Sequence, residues 1–176
     1  MPIIVSEGKS RVIHLPPQEN IQAVCFDVWD LGRQQSDFKG ESRIQHKLKI
    51  GFELEARIES NDDFNGKRFK IFKDYTHSLS KKSNLRKDLT AWRGKAFTDE
   101  ELAGFDLDNL IGANCLLNII HYQGQDGQTR AKISAISQLP KGMVKITPDT
   151  GREIPQWIAD IQAKAVPETA TAEVGE

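Results

Sequence analysis

The run Arg43-Ile44-Gln45-His46-Lys47-Leu48-Lys49-Ile50-Gly51-Phe52-Glu53-Leu54 limits what this chain can fold into more than any other. Ile44, Leu48, Ile50, Phe52 and Leu54 fall on one parity, and Arg43, Gln45, Lys47, Lys49 and Glu53 on the other. A period of two places alternate side chains on opposite faces of a strand, so this segment packs one face inward and turns a mostly basic face outward.

Similar patterns flank it. Val24, Phe26 and Val28 alternate with Ala23, Cys25, Asp27 and Trp29 in a first strand. The turn signal Asn65-Gly66 leads into a third, Lys67 to Thr76, with Phe69, Ile71 and Tyr75 on one face and Arg68, Lys70, Phe72 and Asp74 on the other. The period then lengthens. Leu85, Leu89 and Trp92 recur at helical spacing, with Ser83 or Asn84 as N-cap, Gly94 as the stop and Trp92 as core. Thr98-Asp99-Glu100-Glu101 has the form of a capping box. Two further strands, 113–122 and 129–136, are joined by a Gly-containing turn.

Strand, strand, strand, helix, strand, strand is the layout of a five-stranded OB-fold-like barrel, mainly β, with the helix between the third and fourth strands. The expected organisation is an N-terminal arm over 1–20, the barrel over 21–145 and an acidic, largely flexible tail over 146–176. Within that tail Ile154, Trp157, Ile158 and Ile161 have the spacing of one docking turn. A chain with 38% hydrophobic residues supports one core. No apolar run approaches the ~20 residues of a membrane span, and the first residues lack the pattern of a signal peptide. A cytoplasmic protein without membrane association is expected.

The formal charge of -1 conceals an asymmetry. Residues 65–95 hold Lys67, Arg68, Lys70, Lys73, Lys81, Lys82, Arg86, Lys87, Arg93 and Lys95 against Asp74 and Asp88 alone, whereas 96–110 and the tail are acidic. Set on the pleat, strand 1 offers Trp29 outward, strand 2 offers Arg43, Lys47 and Lys49, and strand 3 offers Arg68, Lys70 and Phe72. Lys81, Lys82, Arg86, Lys87 and Arg93 extend the track along the loop and helix. Cations that follow phosphates, interleaved with rings that stack on bases, suit single-stranded nucleic acid. The competing readings make Trp29 an anchor beneath the N-terminal arm, Phe72 packing under the helix, and the helix cations a solubilising face.

Cys25 and Cys115 stand ninety positions apart in apolar runs, and read as buried reduced thiols. His14, His46, His77 and His121 are scattered, with no HxxxH and no CxxC, so neither a metal nor another cofactor is expected. The carboxylates Asp99, Glu100, Glu101, Asp106 and Asp108 sit at a helix start, where acids suit the dipole. With no P-loop and no GxSxG, the chain does not read as an enzyme.

Ser80-Lys81-Lys82-Ser83-Asn84-Leu85-Arg86-Lys87-Asp88-Leu89, Trp92-Arg93-Gly94-Lys95, Phe97-Thr98, Glu101-Leu102, Gly104-Phe105-Asp106-Leu107, Leu110-Ile111-Gly112, Leu139-Pro140-Lys141-Gly142-Met143 and Asp30-Leu31-Gly32 together resemble a family of small bacteriophage and prophage proteins. The resemblance spans roughly residues 20–145. It implies an OB-fold single-stranded DNA-binding protein of phage replication or recombination, with partners in those processes and scope for homo-oligomers. The chain ends Ala172-Glu173-Val174-Gly175-Glu176, without the terminal aromatic of bacterial single-strand-binding tails. Two outcomes follow for the tail and the function. An acidic tail would compete with DNA for the basic face, and the alternative function is a protein-interaction module that docks on a host or replication protein without binding DNA.

Overall fold

The computed structural model describes residues 14–167. Five strands, β1 (Asn20–Phe38), β2 (Glu41–Arg57), β3 (Arg68–Thr76), β4 (Asn114–Gln123) and β5 (Thr129–Ser137), form one antiparallel sheet in the order β3-β2-β1-β4-β5. Helices α1 (Asn84–Arg93) and α2 (Asp99–Ala103) and a 3-10 turn (Leu107–Leu110) connect β3 to β4, and α3 (Gln156–Ala163) follows β5. The protein is therefore mainly β with the expected strand–helix order. No hydrogen-bonded ladder joins β3 to β5 among the described residues, so the sheet is open there.

Local rules account for most of the elements. Lys39 and Gly40, both at positive φ (51° and 77°), make the two-residue turn between β1 and β2, whose twist matches the flanking strands. The Ser83 hydroxyl accepts the Arg86 N–H to start α1, and Gly94 ends it at φ 72°. Thr98 and Glu101 form the reciprocal capping box of α2.

One face of the sheet carries the main core. Ile21, Ala23 and Cys25 of β1 and Leu48, Ile50, Phe52 and Leu54 of β2 meet Ile71 and Tyr75 of β3, and α1 lays Leu85, Leu89 and Trp92 across them. Leu117, Ile119, Ile133 and Ile136 complete it. The Trp92 indole donates to the Asn114 carbonyl at 2.9 Å, so its polar edge is satisfied within the core.

The inward parity expected for the start of β1, Val24 and Phe26, is overturned, because Ala23 and Cys25 enter the main core instead. The β1–β2 register shifts between Cys25 and Asp27, and again between Asp30 and Gly32. Each shift inserts one extra residue and re-aims the side chains beyond it. Beyond the first shift Val28 packs on the main core and Trp29 faces outward, whereas Phe26 lies on the face opposite to Cys25 by ordinary alternation. With Trp29 and Leu31 it forms a second cluster on the opposite face of the sheet. Gly51 makes room for it, since a Cβ there would meet the Phe26 ring at 2.8 Å.

The lid on that second cluster is the C-terminal segment. Residues 144–166, which from 146 onward the sequence assigns to a largely flexible tail, cross the outer face of the sheet as a strap. Gln22 donates to the Val144 carbonyl, and the Asn114 side chain both accepts from Ile146 N–H and donates to Ile146 C=O. Glu53 accepts the N–H groups of Asp149 and Thr150, and Asp27 accepts that of Glu153. Then α3 seats Ile158, wholly buried, with Ile161 on Phe26, Trp29, Leu31 and Phe72. The strap finishes by donating Val166 N–H to the Arg33 carbonyl at 2.7 Å. An ionised carboxylate left unpaired in an interior costs several kcal/mol. Asp27 and Glu53 are 2% and 0% exposed, so the strap's N–H donors are a condition of the fold and not an ornament on it.

Candidate nucleic-acid interface

The outer face of β1–β3, where bases were expected to stack, is the floor beneath this strap. Trp29 is 4% exposed and donates its indole N–H to the Glu153 carbonyl at 2.8 Å. Its ring lies between those of Phe26 and Phe72 and against Trp157 of α3. Phe72 sits 5.0 Å from Trp157, edge to face. The assignment of both rings to a base-stacking surface is therefore corrected. They are anchors, Trp29 for the C-terminal strap in place of the N-terminal arm, and Phe72 for α3 in place of α1.

Three of the expected cations are drawn into the same arrangement. Lys49 pairs with Asp74 at 3.1 Å and lies over the Trp157 ring. Arg68, with only 11% of its side chain exposed, donates to the Thr147 carbonyl and lies 3.7 Å from both Glu53 and Asp149. Lys70 remains exposed, with its ammonium 5.0 Å from the centre of the Phe26 ring. Arg93 is also removed from the phosphate track. Its guanidinium lies over the Phe97 and Phe105 rings and donates to Glu101 at 2.5 Å, clamping the α1–α2 corner.

The remaining cations converge elsewhere. A cleft of about 770 Å³ lies between the start of β2, the end of β3 and the loop into α1. Arg43, Lys47 and Lys82 line it, together with His46, His77 and the hydroxyl-bearing Thr76, Ser78, Ser80 and Ser83. Lys47 donates to the Thr76 hydroxyl at 3.1 Å, which holds its stem along the wall. Asp74 is the one carboxylate in the lining, and its charge is partly met by Lys49. Lys81, Lys82 and Lys87 are exposed and carry no ion pair among the described residues. Arg86 reaches back from α1 to the Leu79 carbonyl and braces the loop that carries Lys81 and Lys82.

The histidines are less scattered than their spacing implies. His46 and His77 stack as parallel rings with centroids 4.1 Å apart, and the Asp30 carboxylate lies 2.6 Å from His46 Nε2. Burial opposes ionisation of Asp30, but the Gly32 N–H and then His46 outweigh it and hold the carboxyl below its ordinary value. The available signal was the β2–β3 register, which sets Lys47 opposite Thr76 and so brings His46 beside His77.

Both cysteines are free and buried, and burial raises both thiols, Cys25 to about 12. The expected competition between the end of the tail and DNA falls on residues outside those described, beyond 167. No family model and no curated protein matches the sequence. Among the described residues, no helix is long and apolar enough to cross a membrane.

Proposed function

We propose that this protein binds single-stranded DNA with little sequence specificity, through the cleft at the β2–β3 end and the adjoining loop. The observation that carries this reading is the grouping of Arg43, Lys47 and Lys82 around one cleft, beside Lys81 and Lys87, which carry no ion pair among the described residues. A row of cations with hydroxyl neighbours holds a phosphate backbone without reading bases. The two histidine rings add flat surface for a base. The strand order fits an OB-type barrel opened between β3 and β5, a fold that binds oligonucleotides around strands 2 and 3 and with its loops. With the phage-family resemblance, this supports a non-enzymatic role in phage replication or recombination inside a bacterial host. Replication or recombination proteins are the proposed partners, and a homo-oligomer is the proposed assembly.

The test is an anisotropy titration of fluorescent oligo-dT at two salt concentrations, with duplex DNA and RNA as comparisons. Affinity for the single strand should fall steeply as salt rises. Absence of binding, or affinity indifferent to salt, would overturn the reading.

A second reading, a module that docks on a replication protein, draws on the strap's outer surface. Met143, Val144, Ile154 and Trp157 are 39%, 84%, 62% and 42% exposed there. Apolar groups gathered along one segment mark contact surfaces. A pull-down that survives nuclease, from protein that shifts no oligonucleotide, would favour it.

A further inference from the structure

The geometry points to a transition-metal site, of the kind that takes Zn²⁺, formed by Asp30 of β1, His46 of β2 and His77 at the start of the β3–α1 loop. One ligand atom from each lies within 4.8 Å of the other two. The ligands of a tetrahedral zinc ion, at bonds of 2.0–2.1 Å, stand about 3.3 Å apart. Closing the difference requires the side chains to rotate toward one another. His77 is exposed and His46 and Asp30 keep 38% and 61% of their side chains accessible, so the rotation meets no packed core.

The backbone already holds the three elements in place. His77 N–H donates to the His46 carbonyl at 2.7 Å, which keeps the two imidazoles side by side on neighbouring chains. Asp30 is aimed by the second irregularity of β1. There the register skips Leu31, Gly32 takes φ 72°, and its N–H donates to Asp30 Oδ1 at 2.8 Å. That N–H holds the same oxygen that faces His46 Nε2, and a hydrogen bond to the ligating carboxylate is the usual support of a metal-binding carboxylate. An ordinary surface ion pair needs neither the bulge nor a second, parallel imidazole.

The donor set selects the metal. Two imidazoles and one carboxylate suit Zn²⁺, Co²⁺, Ni²⁺ or Cu²⁺ and do not suit Mg²⁺ or Ca²⁺, which take mostly oxygen ligands. Three protein ligands leave one position open. His46 and His77 both line the cationic cleft, so an ion there adds positive charge to its wall and ties the β3–α1 loop to β1 and β2. The metal site stands independently of the DNA-binding reading, and its test uses metal alone.

Chelator-treated full-length protein is titrated with ZnCl2 by calorimetry and with CoCl2 by visible absorption. One equivalent should bind, with an intense cobalt d–d band of low coordination number, and Zn²⁺ should raise the melting temperature. Loss of an outer partner of a metal ligand costs 10–100-fold in affinity, so H46A, H77A and D30N should each weaken Zn²⁺ binding by at least about tenfold. H14A, in a separate pair with Asp62, should bind as the wild type does. Far-UV circular dichroism of each variant establishes that it is folded. A wild type with no cobalt band and no zinc-dependent shift in melting temperature would overturn the site. So would zinc affinity that survives in a folded H46A/H77A double variant.

Discussion

Glu53 and Thr150 lie 97 residues apart, yet the Thr150 N–H donates to the Glu53 carboxylate at 2.9 Å in the middle of the sheet's outer face. The Asp149 N–H donates to the other carboxylate oxygen at 2.7 Å, and Arg68 stands 3.7 Å away. β2 thus carries a buried charge whose hydrogen-bond partners are supplied mainly by the strap. A sheet face that looks fit for a ligand is occupied by the chain's own C-terminal segment.

The first prediction concerns that bond. Glu53→Gln keeps the shape but replaces one accepting oxygen with an NH2 that faces a backbone donor, and leaves Arg68 without its buried counter-charge. An unsatisfied buried donor costs ~1–3 kcal/mol, and that loss is expected in urea denaturation followed by circular dichroism. A variant as stable as the wild type would mean that the strap does not depend on Glu53.

The second separates the anchors from the contacts. Trp29→Phe removes the indole N–H bonded to Glu153 and should lower stability while leaving oligo-dT affinity unchanged. Lys82→Ala should leave stability unchanged and weaken oligo-dT binding. It should also reduce the slope of log affinity against log salt by about 0.7, the value of one single-strand phosphate contact. Reversal of this pattern would return the interface to the face under the strap.

What the sequence disclosed and what it withheld divide along sequence distance. The stripe Leu85, Leu89 and Trp92, the Ser83 cap and the Thr98–Glu101 box each involve residues a few positions apart, and all form as expected. The inward face of β2 was legible for the same reason, being a period of two in an unbroken strand. The strap was not. Its ties to Asp27 and Glu53 span 126 and 96 residues, and no local pattern encodes them. β1 starts in the parity opposite to that expected, with Ala23 and Cys25 in the main core and Phe26 outside it, and the first bulge then turns Val28 inward and leaves Trp29 on a face that only tertiary packing fills. Of the expected phosphate track, Arg43, Lys47 and Lys82 meet at one cleft, because the first two lie at the start of β2 and the third in the loop that leaves the end of β3 beside it. Arg68 and Arg93 could not be sorted from these by residue type. Guanidinium groups serve buried clamps as readily as phosphates, and the acids that claim these two come from other segments.

The third prediction follows from the Arg93 clamp. Hydrogen bonding from Arg93, and then from the Thr98 N–H, lowers the Glu101 carboxyl from 4.5 to about 2. A group whose pKa is lower folded than unfolded adds stability that is complete above the unfolded value and lost as pH falls through the folded one. Glu101→Gln should therefore melt below the wild type at neutral pH. The gap should narrow between pH 4.5 and about 2, read as melting temperature across a pH series. A gap independent of pH would mean that the Arg93 contact adds nothing through charge.

The last prediction rests on the two thiols. Cys25 and Cys115 are both 0% exposed in the main core, and burial disfavours the thiolate of each. Disulfide exchange proceeds through the thiolate and needs access to the sulfur. Neither cysteine can react until the main core around it opens. Cys25 lies on β1 opposite Phe52 and Cys115 on β4 opposite Ala23, and both side chains belong to the one main core, so the opening that frees one frees the other. Ellman's reagent should therefore find no reactive thiol in the native protein and two in guanidinium. Under native conditions both should react at one shared slow rate, which rises in step with the unfolded fraction as denaturant is added. A fast first equivalent would reveal local opening of one strand, and would place the weak point of the fold at β1 or β4 according to which Cys→Ser variant abolishes it.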